Sequence, residues 1–163
     1  MGQDKALLEW RGVSLLSHAR ALLRAAGIDD IHVGGRPEEI DGLPDSQPHA
    51  GPARAILDCV RLQRGRCDRL LIIPVDMPLL GVDQLKPLLE APPAGARHWE
   101  GQPLPALIPV EACNTLHGED IHSIKRLLAA LETEVLALPI AGPPEAFSNI
   151  NTPDALARLS AKI

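Results

Sequence analysis

Aromatic residues are scarce in this sequence of 163 residues, which has two tryptophans, one phenylalanine and no tyrosine. A platform that stacks the bases of single-stranded nucleic acid is built from several such rings, so the composition argues against that class of protein. A basic excess is missing too, because the formal net charge is −5. Nucleic-acid binders usually present a basic face, so we expect no nucleic-acid partner.

Long apolar runs and a secretion signal are also lacking. No run reaches the ~18 residues that a membrane span needs, and the N-terminus has no basic-then-apolar pattern. The cysteines Cys59, Cys67 and Cys113 are odd in number and form no C-x-x-C pair. A disulfide framework or a zinc knuckle is therefore not expected. These absences predict a cytoplasmic protein with reduced thiols and no membrane contact.

The residues that are present predict one α/β domain over residues 1–163. The sequence is 45% hydrophobic and 23% charged, which suffices for a core, and its 16 prolines and 13 glycines predict many short elements. The uninterrupted apolar run from Leu70 to Val75 predicts a strand that is buried on both faces, as in a parallel sheet covered by helices. Alternation of such strands with helices predicts a mostly parallel sheet.

Helical spacing and capping residues place the helices. Leucines and alanines recur at helical spacing after Ser14, the expected N-cap, and Gly27 stands where a C-terminal cap belongs. Pro52 suits the first turn of a second helix that runs to about Gln63. The apolar face predicted for this second helix consists of Ala55, Ile56, Cys59, Val60 and Leu62. Further helices are predicted over residues 82–90, 110–116, 120–131 and 153–161. Short strands are predicted over residues 30–33, 97–99, 106–108 and 135–139.

Asp76 is the clearest candidate for chemistry. It stands between Pro74 and Pro78, directly after the apolar run, and ligands of parallel α/β sheets bind beyond the carboxyl ends of the strands. A carboxylate there is suited to hold a hard divalent cation against phosphates. The alternative is an aspartate that caps the turn into the next helix.

Two polar segments are weaker candidates. Gly2 and Lys5 precede the first helix, where backbone N–H groups and an ammonium suit phosphate binding, although a lysine near a terminus is more often a solvated group. Asn149 and Asn151 point to the same side of an extended segment and suit hydrogen bonds to a ligand. A cap that opens the last helix is the alternative for the asparagines.

Taken in order, these pieces resemble the molybdenum-cofactor guanylyltransferases over essentially the whole chain. The segments that carry the resemblance are Met1–Leu8, Gly12, Leu15–Leu16, His18, Asp45–Ser46, Gly51–Pro52, Pro74–Pro78, Gln102–Leu107 and Asn149–Pro153. The resemblance implies a Rossmann-like three-layer α/β/α fold and transfer of GMP from GTP to molybdopterin. It also implies that Lys5 contacts the nucleotide phosphates, that Asp76 binds Mg²⁺ and that Asp45 helps to hold the nucleotide. Gly2 and Gly34 belong to the same expected nucleotide site, and Asn149 and Asn151 would lie near the pterin phosphate or the metal.

This sequence departs from the family pattern in two places. The family's first apolar strand and glycine-rich phosphate loop end in Arg-Met-Gly, and this sequence starts at the Met, so we expect both to be missing and an unpaired groove to be left between two buried strands. Gly34 stands where the family commonly places an asparagine near the base.

Three hypotheses follow from the match and its departures. The first is a guanylyltransferase whose active form starts upstream of Met1, and the second is a nucleotide- or pterin-binding module without catalysis. The third is an interaction protein that fills the groove by pairing with a partner or with another copy, as a homodimer. A related cytidylyltransferase or sugar-phosphate nucleotidyltransferase is a further alternative.

Overall fold

The computed structural model describes residues 4–47, 50–90, 95–116, 121–138, 144–150 and 152–160. Its α-helices are α1 (Leu15–Ala25), α2 (Pro52–Gln63), α3 (Val82–Leu89), α4 (Ile124–Ala130) and α5 (Pro153–Ser160). Single turns of 3₁₀ helix lie at Lys5–Leu7, Glu111–Thr115 and Pro144–Phe147. No helix in these ranges is both long enough and apolar enough to cross a membrane.

The described residues contain eight strands, which form three small sheets. They are β1 (Glu9–Trp10), β2 (Val13–Ser14), β3 (Val33–Gly34), β4 (Gly42–Leu43), β5 (Arg69–Ile72), β6 (Ala96–Trp99), β7 (Gln102–Pro109) and β8 (Thr133–Leu136). Strands β1 and β2 pair antiparallel, and β3 pairs with β4 in parallel. The largest sheet has the strand order β5-β7-β6-β8. The predicted α/β class is confirmed.

Contacts between residues divide the chain into two compact units. Unit 1 comprises Met1–Asp29, Ile73–Pro87 and Pro139–Ile163, and unit 2 comprises Asp30–Ile72 and Leu88–Leu138. Each unit has its own apolar cluster. A single domain over residues 1–163 stays a prediction.

Helix α1 of unit 1 has the ends that its sequence predicts. The Ser14 hydroxyl accepts a hydrogen bond from the Ser17 N–H (3.1 Å), which satisfies one of the free donors of the first turn. Gly27 has φ of +87°, and the Ile28 N–H donates to the Leu23 carbonyl (3.0 Å), which is a Schellman ending. The helix buries Leu15 beside Trp10, both at most 1% exposed, in the core of unit 1.

The core of unit 2 lies between α2, α4 and the four-stranded sheet. Helix α2 has the predicted bounds and begins with Pro52, whose missing N–H costs nothing there. Its apolar face differs from the predicted one, because Leu57 is buried and Leu62 is 46% exposed. The helix buries Ala53, Ile56, Leu57 and Val60 against Ala106 and Ile108 of β7.

The four-stranded sheet is mixed, so the prediction of a mostly parallel sheet is wrong for it. Strand β7 runs antiparallel to both β5 and β6, and only the β6–β8 pair is parallel. The reversal follows from the turn at Gly101 (φ +70°), which joins β6 to β7 as a hairpin. The predicted strands on either side of this turn are present.

Strand β5 also departs from its prediction. It ends at Ile72, because Pro74 has no N–H to extend the ladder, and all four of its residues are only partly buried. Among the described residues, β5 pairs with β7 alone and β3 pairs with β4 alone. The expected unpaired groove between two buried strands stays a prediction. The predicted strand over residues 30–33 is reduced to its last residue, because β3 begins at Val33.

Candidate functional site

In unit 1, the structure brings Lys5 and Asp76 together. The Lys5 Nζ atom lies 3.5 Å from Asp76 Oδ2, and the two side chains are 42% and 19% exposed. The cap alternative for Asp76 finds no support, because the turn that follows it closes through the Leu80 N–H to the Met77 carbonyl (3.1 Å). Helix α3 begins only at Val82. An accessible ammonium thus faces a partly buried carboxylate.

A short 3₁₀ helix presents Lys5 at this position. The Asp4 carboxylate accepts a hydrogen bond from the Ala6 N–H (3.1 Å) and so caps the helix, and Ala6 is buried beneath it. The cap orients the first turn and leaves the Lys5 side chain on the accessible side. The sequence placed Asp4 beside Lys5 but did not identify it as the capping residue.

Two contacts hold the turn that carries Asp76. The Ile150 N–H donates to the Asp76 carbonyl (2.7 Å), and the His18 Nε2 atom lies 3.0 Å from the Pro78 carbonyl. A carbonyl only accepts, so Nε2 carries the hydrogen in the second contact. In the sequence, His18 stood out only as one of the residues that carry the family resemblance. Its partner is a backbone atom 60 positions away, which no local pattern reveals.

Asn149 lies next to Ile150 and its side chain is exposed. The capping role that the alternative gave to the asparagines is performed by Thr152, whose hydroxyl accepts from the Ala155 N–H (3.1 Å) at the start of α5. Asn151 and Gly2 lie outside the described residues. The structure therefore ties the segment that carries Asn149 to the backbone of Asp76.

Unit 2 contains the other two predicted nucleotide residues, Gly34 and Asp45. The Asp45 carboxylate packs against Gly35 (φ +74°), the residue that follows Gly34. A Cβ added to Gly35 would lie 3.1 Å from Asp45 Oδ2. An added Cβ on Gly34 would lie 3.1 Å from Cys59 Sγ. Among the described residues, Asp45 Oδ1 is a buried atom with no hydrogen-bond partner. Such an acceptor lacks the donor that a buried oxygen requires.

Asp58 is a polar residue of unit 2 that the sequence analysis missed. It lies on α2, is 4% exposed, and accepts hydrogen bonds from the N–H and the hydroxyl of Ser46. Its spacing from Arg54 and Arg61, at i−4 and i+3, is the only sign in the sequence that it makes ion pairs.

Burial disfavours the thiolate form of the cysteines. Burial raises the pKa of the Cys59 thiol to about 11, with the neighbouring charges of Asp45 and Asp58 acting in the same direction. Burial also raises the pKa of Cys113 to about 11. All three cysteines are free thiols in the structure, and the raised pKa values leave Cys59 and Cys113 protonated at neutral pH.

A cation in unit 1 would depend on Asp76. The described residues contain no cluster of three or more histidine, cysteine, aspartate or glutamate side chains that could enclose a metal ion. A single carboxylate does fit a hard cation that keeps several waters and shares phosphate oxygens with a substrate, as Mg²⁺ does. It does not fit a structural zinc site, which needs four protein ligands.

The chain is similar to a family model, to named proteins and to a solved structure. The family model described as MobA-like NTP transferase domain matches residues 1–135. A molybdenum cofactor guanylyltransferase from Xanthomonas euvesicatoria is 33% identical, with 98% of this chain and 87% of that protein covered. The protein of the same name from Pseudomonas syringae pv. syringae is 34% identical, with 98% and 86% covered. The crystal structure of molybdopterin-guanine dinucleotide biosynthesis protein A from Archaeoglobus fulgidus has a TM-score of 0.75 at 20% identity, with 99% and 93% covered. This likeness shows the fold, which is Rossmann-like as expected.

Proposed function

We propose that this chain, which belongs to the MobA-like NTP transferase family, transfers GMP from GTP to molybdopterin. The 3.5 Å approach of Lys5 and Asp76 carries the proposal. These two residues lie in motifs far apart in the sequence, and the fold of unit 1 brings their charges to one place. The names of the curated relatives support GTP and molybdopterin as the substrates.

The reaction exchanges one phosphoanhydride bond for another. An oxygen of the molybdopterin phosphate attacks the α-phosphorus of GTP, the bond from that phosphorus to the oxygen bridging to the β-phosphate breaks, and pyrophosphate leaves. Such a transfer depends mainly on positioning and on neutralising negative charge. The protein therefore needs cations and oriented donors more than it needs a nucleophile of its own.

Lys5 and Asp76 neutralise the negative charge of the phosphates in two different ways. The Lys5 ammonium, 42% exposed, binds the phosphate oxygens directly. Asp76 holds Mg²⁺, which when bound supplies positive charge to the phosphates. The contacts of Ile150 and His18 with the carbonyls of Asp76 and Pro78 hold the backbone of the turn, so the place of Asp76 does not have to be found at each turnover.

The remaining predicted residues bind the rest of the substrates. Gly34 and Asp45 of unit 2 are proposed to bind the nucleotide, and Gly2 to contact its phosphates. Asn149 and Asn151 are proposed to bind the acceptor, for which the exposed amide of Asn149 is suited. A cytoplasmic location and a homodimer stay predictions from the sequence.

An assay with purified substrates tests the proposal. The chain is incubated with Mg–GTP and molybdopterin, and both the guanylylated pterin and pyrophosphate are measured, with CTP, ATP and a hexose phosphate as competing substrates. Equal amounts of both products, formed only with GTP and molybdopterin, are expected. Product formed from CTP would contradict GTP as the nucleotide substrate. Product formed from the sugar phosphate would contradict molybdopterin as the acceptor. Binding of Mg–GTP without product would leave a nucleotide-binding module.

A further inference from the structure

Asp58 is a buried carboxylate with an unusually complete set of partners. Its Oδ2 atom accepts two hydrogen bonds from Ser46, one from the N–H (2.9 Å) and one from the hydroxyl (2.7 Å). Its Oδ1 atom accepts from Arg61 Nη1 (3.3 Å) and lies 3.5 Å from Arg54 Nε. A carboxylate that is only 4% exposed requires such compensation to stay charged.

These partners keep Asp58 ionised. Burial by itself raises the pKa of a carboxyl group, but the two bonds from Ser46 and the charges of Arg54 and Arg61 outweigh it and lower the pKa of Asp58 below 3.8. Asp58 is therefore a full negative charge at neutral pH and a strong acceptor for Ser46. The two hydrogen bonds therefore attach the segment that contains Asp45 and Ser46 to helix α2.

The residue before Ser46 is Asp45, whose carboxylate packs against the backbone of Gly35. Its Oδ1 atom is buried and, among the described residues, has no donor. A carboxylate repels phosphate, so the complementary part of a nucleotide is an N–H group of the base or an O–H group of the ribose. The position of Asp45 Oδ1 depends on the conformation of the segment that contains Asp45 and Ser46. Asp58 holds that segment through its two hydrogen bonds with Ser46.

We propose that Asp58 is a positioning residue for nucleotide binding, because its two bonds to Ser46 set the Asp45 carboxylate where it meets the donors of the nucleoside. The inference rests on the proposed function, in which Asp45 binds the nucleotide. It makes Asp58 important for the affinity of GTP and unimportant for the binding of a triphosphate that has no nucleoside.

Two ligands separate these effects. The full chain and its D58N variant are compared in the dissociation constant of Mg–GTP, in the inhibition constant of inorganic triphosphate and in kcat. D58N keeps the shape of the side chain but loses its charge. We expect Mg–GTP to bind about tenfold more weakly, with triphosphate inhibition unchanged and kcat within about twofold. Asp68, an exposed aspartate of unit 2, gives the matched control D68N, which should alter neither constant.

A second variant decides the matter if D58N does not fold. Ser46 is exposed, and S46A removes only the hydroxyl bond while the N–H bond remains, so the fold is retained and a smaller loss of GTP affinity is expected. Equal losses of GTP and triphosphate binding, or a GTP affinity that neither variant changes, would overturn the inference alone. Absence of GTP binding by the unaltered chain would overturn the proposed function, and this inference with it.

Discussion

The charged residues of the two units differ in their exposure and in their partners. In unit 1, Lys5 and Asp76 form an accessible ion pair of opposite charges on short segments. In unit 2, the Asp45 carboxylate has a buried oxygen without a donor among the described residues, whereas both oxygens of Asp58 have partners. The first arrangement suits a ligand with many charges, and the second suits a ligand that brings hydrogen-bond donors.

The comparison shows how binding and reaction can be separated within one chain. Exposed charges respond to phosphates and cations, whose interactions strengthen as charge moves during the transfer. In the proposed function Asp45 meets the nucleoside, where charge hardly changes during the transfer, so we expect it to contribute mainly to affinity. Substitutions in unit 1 should therefore lower kcat, whereas substitutions around Asp45 should raise the KM for GTP.

The largest effect is expected for D76N. Loss of the carboxylate charge removes both the partner of Lys5 and the proposed ligand of Mg²⁺, and kcat should fall about 100-fold or more. The melting temperature should hardly change, because the partner of Asp76 in the ion pair, Lys5, is 42% exposed and such solvent-accessible pairs contribute little to stability. The control is D83N, an exposed aspartate at the start of α3 in the same unit. A D76N variant with unchanged kcat would remove Asp76 from the proposed mechanism.

A smaller effect is expected for K5M, which keeps the length of the side chain and removes its charge. Loss of one charge-assisted bond to phosphate corresponds to about 1.5–3 kcal/mol, so kcat/KM should fall about 10-fold to 150-fold, with weaker inhibition by pyrophosphate as a second readout. K86M, a substitution of an exposed lysine on α3, is the matched control. Equal kinetics in K5M and K86M would mean that the ammonium of Lys5 does not meet the phosphates.

The smallest effect is expected for G35A, which tests the proposed role of Asp45 in unit 2. Alanine at φ of +74° costs about 1–2 kcal/mol of stability, and its Cβ also presses on Asp45 Oδ2. G101A is closely matched, because Gly101 has φ of +70° but open space around an added Cβ. Both variants should lose similar stability in thermal unfolding, and G35A alone should show a raised KM for GTP. A raised KM in G101A as well would attribute the effect to stability.

The helices and the hairpin could be predicted from the sequence because their signals are local. Pro52 and the apolar spacing after it gave the bounds of α2, and Ser14 and Gly27 gave the ends of α1. The direction of β5 could not be predicted in this way. A continuous apolar run such as Leu70–Ile72 reports on burial, whereas the direction of its neighbour is decided by the turn at Gly101, about thirty positions later.

The contacts of the candidate site could not be predicted from the sequence. Motif order identified Lys5 and Asp76, but only the fold shows that they form an ion pair. His18 and Asp58 were missed because their partners are a carbonyl and a loop serine far along the chain or on another element. A histidine or aspartate on a helix looks the same in sequence whether it is solvated or bonded to such a group.

The ion pair between Lys5 and Asp76 also bears on how ligands enter unit 1. Each charge already has a partner, so a cation that arrives alone must displace the ammonium, and a phosphate that arrives alone must draw the lysine away from the aspartate. A cation and a triphosphate that arrive together give both residues a new partner in one exchange. The two ligands should therefore assist each other's binding, and linkage requires that this assistance be equal in both directions.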